Sequence, residues 1–264
     1  MKRIAMGLAV VGFLTGLMLM PAWGQDFQQV YQLASGGIIS ISNVSGEISI
    51  TGYNGSSVSV SAIREGRDKD MVQIEDQSTP GHVSLGVKYP NGGGNYEASV
   101  RFILQVPRGV RYQFDSLKTA SGDISVTGVA GDINAKTASG DITIKDVEGK
   151  VTATAASGDV KVLGIAGTVS ASTASGDVEV ELTRVSSDAD LKFSSASGDV
   201  TVKAPAQLDA QVEMSTASGS LKTDFPLTIE DREGHGKKAT GQLGSGAVKL
   251  KISTASGDVQ LIRQ

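Results

Sequence analysis

The chain has 264 residues, of which 39% are hydrophobic and 20% charged, with 33 Gly, 6 Pro and no Cys. That composition is too apolar for a disordered chain, and a formal charge of −4 leaves no dense basic footprint for nucleic acid. Gly far above the usual ~7%, with few Pro and no three-residue period, excludes collagen and signals many tight turns.

Residues 1–24 read as a signal peptide. Lys2 and Arg3 precede an apolar run over 4–20, and Ala22 and Gly24 fit the −3 and −1 positions of a signal-peptidase site, so cleavage exposes Gln25. The expected destination is the periplasm, the outer cell envelope or the medium, with no transmembrane segment after cleavage. Without Cys, no disulfide can compensate for a small core, so stability must come from burial and backbone pairing.

Residues 25–264 read as a single domain, irregular over 25–115. Gly37, Gly46 and Gly55 keep a step of nine, but residues 56–115 break register. A strand is expected over 82–89 and another over 97–106, where Val100, Phe102, Leu104 and Val106 share one side before Pro107. Pro90 to Asn95 supply a Gly-rich turn between them. This region suits a cover over an open sheet end.

From 116 to 264 the repeats are regular. Ala-Ser-Gly-Asp occurs at Ala120, Ala138, Ala156, Ala174, Ala196 and Ala255, with Ala-Ser-Gly-Ser at Ala217. Gly122, Gly140, Gly158 and Gly176 are spaced by 18, and Gly131, Gly149 and Gly167 lie midway, so the period is nine. After each Gly comes a short alternation, as in Ile142/Ile144 around Thr143 and Val160/Val162 around Lys161. Period two with β-branched residues is a strand with one buried face, and Gly at this frequency rejects helix.

Two nonapeptides make one flattened coil of about 18 residues, with a strand in each of two facing sheets. Stacked coils pair in parallel at ~4.8 Å. The fold class expected is therefore all-β: a parallel β-helix or β-roll solenoid. Lys161 and Glu179 become neighbours on an outer face. The spacing loosens downstream, and the polar residues 230–246 read as an exposed loop or hairpin.

These features resemble the bacterial putative-adhesin family, a β-strand-repeat domain of unknown function. The resemblance rests on the Thr-Ala-Ser-Gly-Asp-Ile/Val turns, on Val44-Ser45-Gly46-Glu47-Ile48, on Leu221-Lys222-Thr223-Asp224-Phe225-Pro226, and on the ending from Ile252 to Val259. It covers nearly all of the chain after the leader. It implies an exported or envelope-associated β-solenoid and brings no catalytic residues with it.

Asp123, Asp141, Asp159, Asp177 and Asp199 follow their glycines in equivalent turns and should stack as a ladder. Unit charges ~4.8 Å apart repel by about 0.9 kcal/mol in water, so something must offset them. Hydrogen bonds from Ser and Thr hydroxyls or turn N–H groups would do so. Ca²⁺ is the alternative, but calcium-binding β-rolls carry Gly-Gly-x-Gly-x-Asp in each nonapeptide, and here Asp follows Gly directly once per 18 residues. No metal or other cofactor is expected, the ladder being the one weak metal candidate.

Catalytic residues are not expected either. The two His, His82 and His235, lie in irregular stretches, no Cys offers a thiol, and no Gly-x-Ser-x-Gly elbow appears. Ser245, between Gly244 and Gly246, reads as a turn residue, and Glu179 and Glu181 share one exposed face instead of confronting each other across a cleft. Tyr89, Tyr96, Arg101 and Tyr112 are the ligand candidates, with Arg108 and Arg111 nearby, since exposed rings could stack on sugars; packing of these rings in the core or as an end cap is the competing reading. The expected role is non-catalytic, adhesin-like binding or scaffolding, with a polysaccharide or a cell-surface protein as partner. A β-helical polysaccharide-active enzyme and a calcium-binding repeat protein are the alternatives.

Overall fold

The structure is a computed structural model that describes residues 27–90, 96–187, 189–232 and 236–264. The leader over 1–24, its cleavage site, residues 91–95 of the expected Gly-rich turn and His235 lie outside the described residues. The N-terminal strands are β1 (Phe27–Tyr31), β2 (Ile38–Ser42), β3 (Ile48–Tyr53), β4 (Val58–Glu65), β5 (Gln73–Asp76), β6 (His82–Lys88) and β7 (Ser99–Pro107). The central strands follow as β8 (Arg111–Ser121), β9 (Ile124–Thr127), β10 (Ala130–Ser139), β11 (Ile142–Lys145), β12 (Glu148–Ser157), β13 (Val160–Ser175), β14 (Val178–Val185), β15 (Asp190–Ser197) and β16 (Val200–Ala204). The last are β17 (Ala210–Ser218), β18 (Leu221–Thr223), β19 (Thr228–Arg232), β20 (Gly236–Leu243), β21 (Val248–Ser256) and β22 (Val259–Arg263). Among the described residues the only helical segment is a single 3₁₀ turn, Lys69–Met71.

Pairing arranges these strands in two walls of a solenoid-like stack. In the front wall β8, β10, β12, the second half of β13 and β15 pair in parallel, each residue beside its counterpart one coil away. Val151 lies between Ile133 and Val169, for example. In the back wall β9, β11, the first half of β13, β14 and β16 do the same. The 22-residue step between Gly176 and Gly198 leaves this register intact, because the additional residues fall in the turn between β14 and β15.

Alternation decides what fills the space between the walls. Ile142, Ile144, Val160, Val162, Val178 and Val180 from the back wall, and Val151, Ala153, Val169 and Ala171 from the front wall, are all at most 1% exposed. Along one inward column the residues run Leu117, Ala135, Ala153, Ala171, Phe193, Ile252 and Met214, so small side chains occupy the middle and large ones the ends. Val129, Val147 and Ile165 seal the edge away from the Ala-Ser-Gly-Asp turns.

The coils do not stack in chain order. At the C-terminal end β15 pairs with β21, and β21 with β17, so the last coil inserts between the two that precede it. The back wall repeats the exchange through β16–β22 and β22–β18. At the N-terminal end β2 lies between β6 and β8, and β3 between β7 and β9. Residues 38–53 are thus a regular coil inside the stretch expected to be irregular. Residues 230–246, expected as a loop or hairpin, form mostly the hairpin β19–β20, and β20 lies antiparallel along β17. Antiparallel β4 and β1 close the other end of the back wall, and β5 that of the front wall. Antiparallel strands at the ends interrupt the parallel repeat, which is how an open stack avoids adding further copies.

Candidate functional site

Three surfaces follow from this architecture: the edge of Ala-Ser-Gly-Asp turns and the outer faces of the two walls. Along the edge the glycines stack in the order Gly46, Gly122, Gly140, Gly158, Gly176, Gly198, Gly257 and Gly219. Gly158 shows why no other residue serves. Its φ is +126°, and a Cβ there would overlap the carbonyl oxygen of Gly140.

Each carboxylate of the edge reaches the next turn. Oδ1 of Asp123 accepts the N–H of Asp141 at 2.8 Å, Asp141 that of Asp159 at 2.8 Å, and Asp159 that of Asp177 at 2.9 Å. Asp177 accepts from Asp199 at 2.8 Å, Asp199 from Asp258 at 2.7 Å, and Asp258 from Ser220 at 2.8 Å. Turn N–H groups therefore offset the stacked charges, and Asp258 is a member that chain order concealed. Ser and Thr hydroxyls do something else. Thr137, Thr173, Ser195, Thr254 and Thr216, three residues before their glycines, donate to glycine carbonyls of the neighbouring coil at 2.9–3.1 Å. Asn43 fills this position in the coil of β2 and is buried, its amide donating to the carbonyls of Gly46 and Val100. Among the described residues no three His, Asp or Glu side chains are placed to hold a metal ion.

The back wall presents polar rows. Lys161 and Glu179 lie in register, yet Oε1 of Glu179 meets Lys203 Nζ at 2.9 Å while Lys161 Nζ lies 3.9 Å from Asp159. The hydrogen bond to Glu179, with its charge, raises the Lys203 pKa.

The ligand candidates do not converge. Tyr112 is only 2% exposed, set edge-on to Phe114 at 6.3 Å, so it is a core residue and cannot meet a ligand. Its hydroxyl donates to the Leu33 carbonyl at 3.4 Å, and it alternates with buried Phe114 on β8, as core packing requires. Tyr89 and Tyr96 are neighbours at 6.1 Å, both half-buried, and Tyr89 donates to the carbonyl of Ala98 at 2.8 Å. Arg101 pairs with Glu65 on the back wall, Arg108 donates to the Gly52 carbonyl at 2.7 Å, and Arg111 lies 4.0 Å from Asp132. His82 Nε2 meets Ser40 Oγ at 3.0 Å on the front wall, where no carboxylate is within hydrogen-bonding reach of the ring among the described residues.

The front wall carries a surface that no motif announced. Its outward rows place Lys192, Lys251, Glu213 and Thr240 side by side, and Asp190, Lys249, Gln211 and Gln242 in the row beneath. All of these except Lys192 line an open depression of about 500 Å³ across β15, β21, β17 and β20. Lys192 and Lys251 are like charges on adjacent strands, a pairing that destabilises a sheet. Glu213 draws two ammonium groups, Lys238 at 3.3 Å and Lys251 at 3.9 Å. Neither Lys192 nor Lys249 has a carboxylate within salt-bridge reach among the described residues. The sequence hint was the alternation of Lys249 and Lys251 around buried Leu250, but only the exchanged coil order brings Glu213 beside them.

No curated protein matches the chain. Among solved structures it is similar to a putative cell adhesion protein from Clostridium sporogenes, at 10% identity and a TM-score of 0.40, over 90% of this chain and 99% of that one. A putative adhesin from Bacteroides fragilis matches at 14% identity and 0.38, over 89% and 96%, and one from Parabacteroides distasonis at 9% and 0.32, over 90% and 97%. The Toastrack DUF4097 family model matches residues 39–262, and the chain belongs to that family.

Proposed function

We propose that this protein is an exported, non-catalytic, adhesin-like module that holds a polysaccharide or protein on the outer face of its front wall. In fold terms we read the stack as a flattened parallel β-roll. The observation that carries the functional reading is the depression over β15, β21, β17 and β20, lined by ammonium, carboxylate, amide and hydroxyl groups on a rigid sheet. Such groups exchange hydrogen bonds with a hydrophilic partner, and a stack of paired strands holds them without reorganisation on binding.

Export rests on the leader over 1–24, and Gln25 as the first residue of the mature protein would support it. The binding reading is tested on a glycan and surface-protein array, with turnover of a polysaccharide library measured beside it. Retention without turnover is the expected result. Cleavage of any array member would replace the module by an enzyme.

A further inference from the structure

We infer that the front-wall depression takes an acidic polysaccharide, a chain bearing carboxylates on successive sugars, with Lys249 and Lys251 as its principal contacts. This rests on the binding-module reading above and names the ligand class. Four lysines, Lys192, Lys238, Lys249 and Lys251, stand among three carboxylates, Asp190, Glu213 and Glu230, the last in register with Lys238. The surface therefore carries an excess of one positive charge on a protein whose formal charge is −4. Lys249 and Lys251 lie on one strand with both ammonium groups outward, and Lys192 lies beside Lys251 on the next. A ligand anion would relieve that like-charge contact, and its charge complements the site.

The lining also speaks to the kind of anion. Gln211, Gln242 and Thr240 offer amide and hydroxyl groups at the same level, which suits the hydroxyls of sugar rings. No aromatic ring lines the depression, so a neutral glycan would find no stacking platform there. Glu213 acts as an internal counter-charge, occupying Lys251 and Lys238 until a ligand carboxylate competes for them.

The test uses the full protein and immobilised polygalacturonate, with dextran as the neutral chain and anionic-lipid vesicles as the competing surface. The protein is expected to bind polygalacturonate, to ignore dextran, and to release with added salt, since exposed charges are screened. The double variant Lys249→Ala/Lys251→Ala should weaken binding by about tenfold or more, as loss of two charged contacts implies. Glu213→Gln should strengthen it. Lys118→Ala/Lys136→Ala, on the same wall outside the depression, should leave it unchanged, and all variants should melt like the parent because these side chains are solvated. Equal weakening by both lysine pairs, or unchanged binding in the first, overturns the inference. So does binding to vesicles without binding to polygalacturonate. If an array yields only neutral glycans or proteins, the acidic class falls and the module reading stands. If nothing on it binds, both fall.

Discussion

Asp258 accepts the backbone N–H of Ser220 at 2.8 Å, although Ser220 comes 38 residues earlier in the chain. The last coil thus lies beneath the one before it, and the ladder ends on the one Ser that replaces Asp. Each Asp serves the coil stacked above it. The outermost coil has none above, so its turn needs no acceptor. Reversing the two coils would leave Asp258 without an N–H to accept and the N–H of Asp258 facing Ser220. The ladder therefore specifies coil order as well as register.

Asp159 provides the simplest check on the ladder. Replacing it with Ala removes the acceptor for the Asp177 N–H and should cost about 1 kcal/mol, the usual size of one such bond. Asp159→Asn keeps an acceptor and removes a stacked charge, so it should melt close to the parent. Equal losses in both variants, measured by urea denaturation, would show that charge rather than the hydrogen bond matters here.

The column of buried hydroxyls has a gap. Thr137 and Thr173 each donate to a glycine carbonyl, but Ala155 stands between them in register and cannot. Ala155→Thr should supply a donor for the Gly140 carbonyl and raise stability by about 0.5–1.5 kcal/mol. A lower Tm for this variant would mean that the site lacks room for the larger side chain.

On the opposite edge Asp146 adopts φ +54°, where its counterparts in the neighbouring coils are Gly128 at +67° and Gly164 at +70°. Left-handed backbone is strained for a residue with a Cβ, so Asp146→Gly should stabilise the protein, by about 0.5–1 kcal/mol. Thermal unfolding measures it, and a decrease would assign Asp146 a compensating role through its side chain.

Gly158→Ala should be severe. The added methyl would meet the Gly140 carbonyl oxygen, and because the backbone fixes the Cβ position no rotamer can relieve it. A loss of about 3 kcal/mol or more is expected. A variant that retains the parental Tm would refute the close approach of neighbouring coils at this edge.

Carboxyls held below their ordinary value make stability acid-sensitive: Asp68, Asp76, Asp209 and Asp258 are all lowered. The Ser245 hydroxyl, with the N–H groups of Ala247 and Gly246, holds the Asp209 carboxyl below the ordinary 3.8, and the Ser220 N–H and hydroxyl do the same for Asp258. Both favour the charged form in the folded state. Their contribution is then complete above 3.8 and disappears as pH falls from there through the folded values. Tm should drop in that window, less steeply in Asp209→Asn. Parallel curves for parent and variant would remove Asp209 from the account.

Much of the fold was legible because its causes are local. A nine-residue alternation of Val and Ile with polar residues specifies strand, face and coil length, and Gly before Asp marks the turns where backbones approach. Even the carboxylate ladder could be anticipated, since residues at equal phase in stacked coils must align. The order of coils at the two ends was not legible. Segments 38–53 and 248–263 carry the same repeat as their neighbours, and a periodic pattern fits any slot in the stack. Long-range pairing between coils, the Asp258–Ser220 contact among them, resolved that degeneracy. The same pairing placed Glu213 beside Lys251, because contacts along a wall depend on which strand lies next in space and not in sequence.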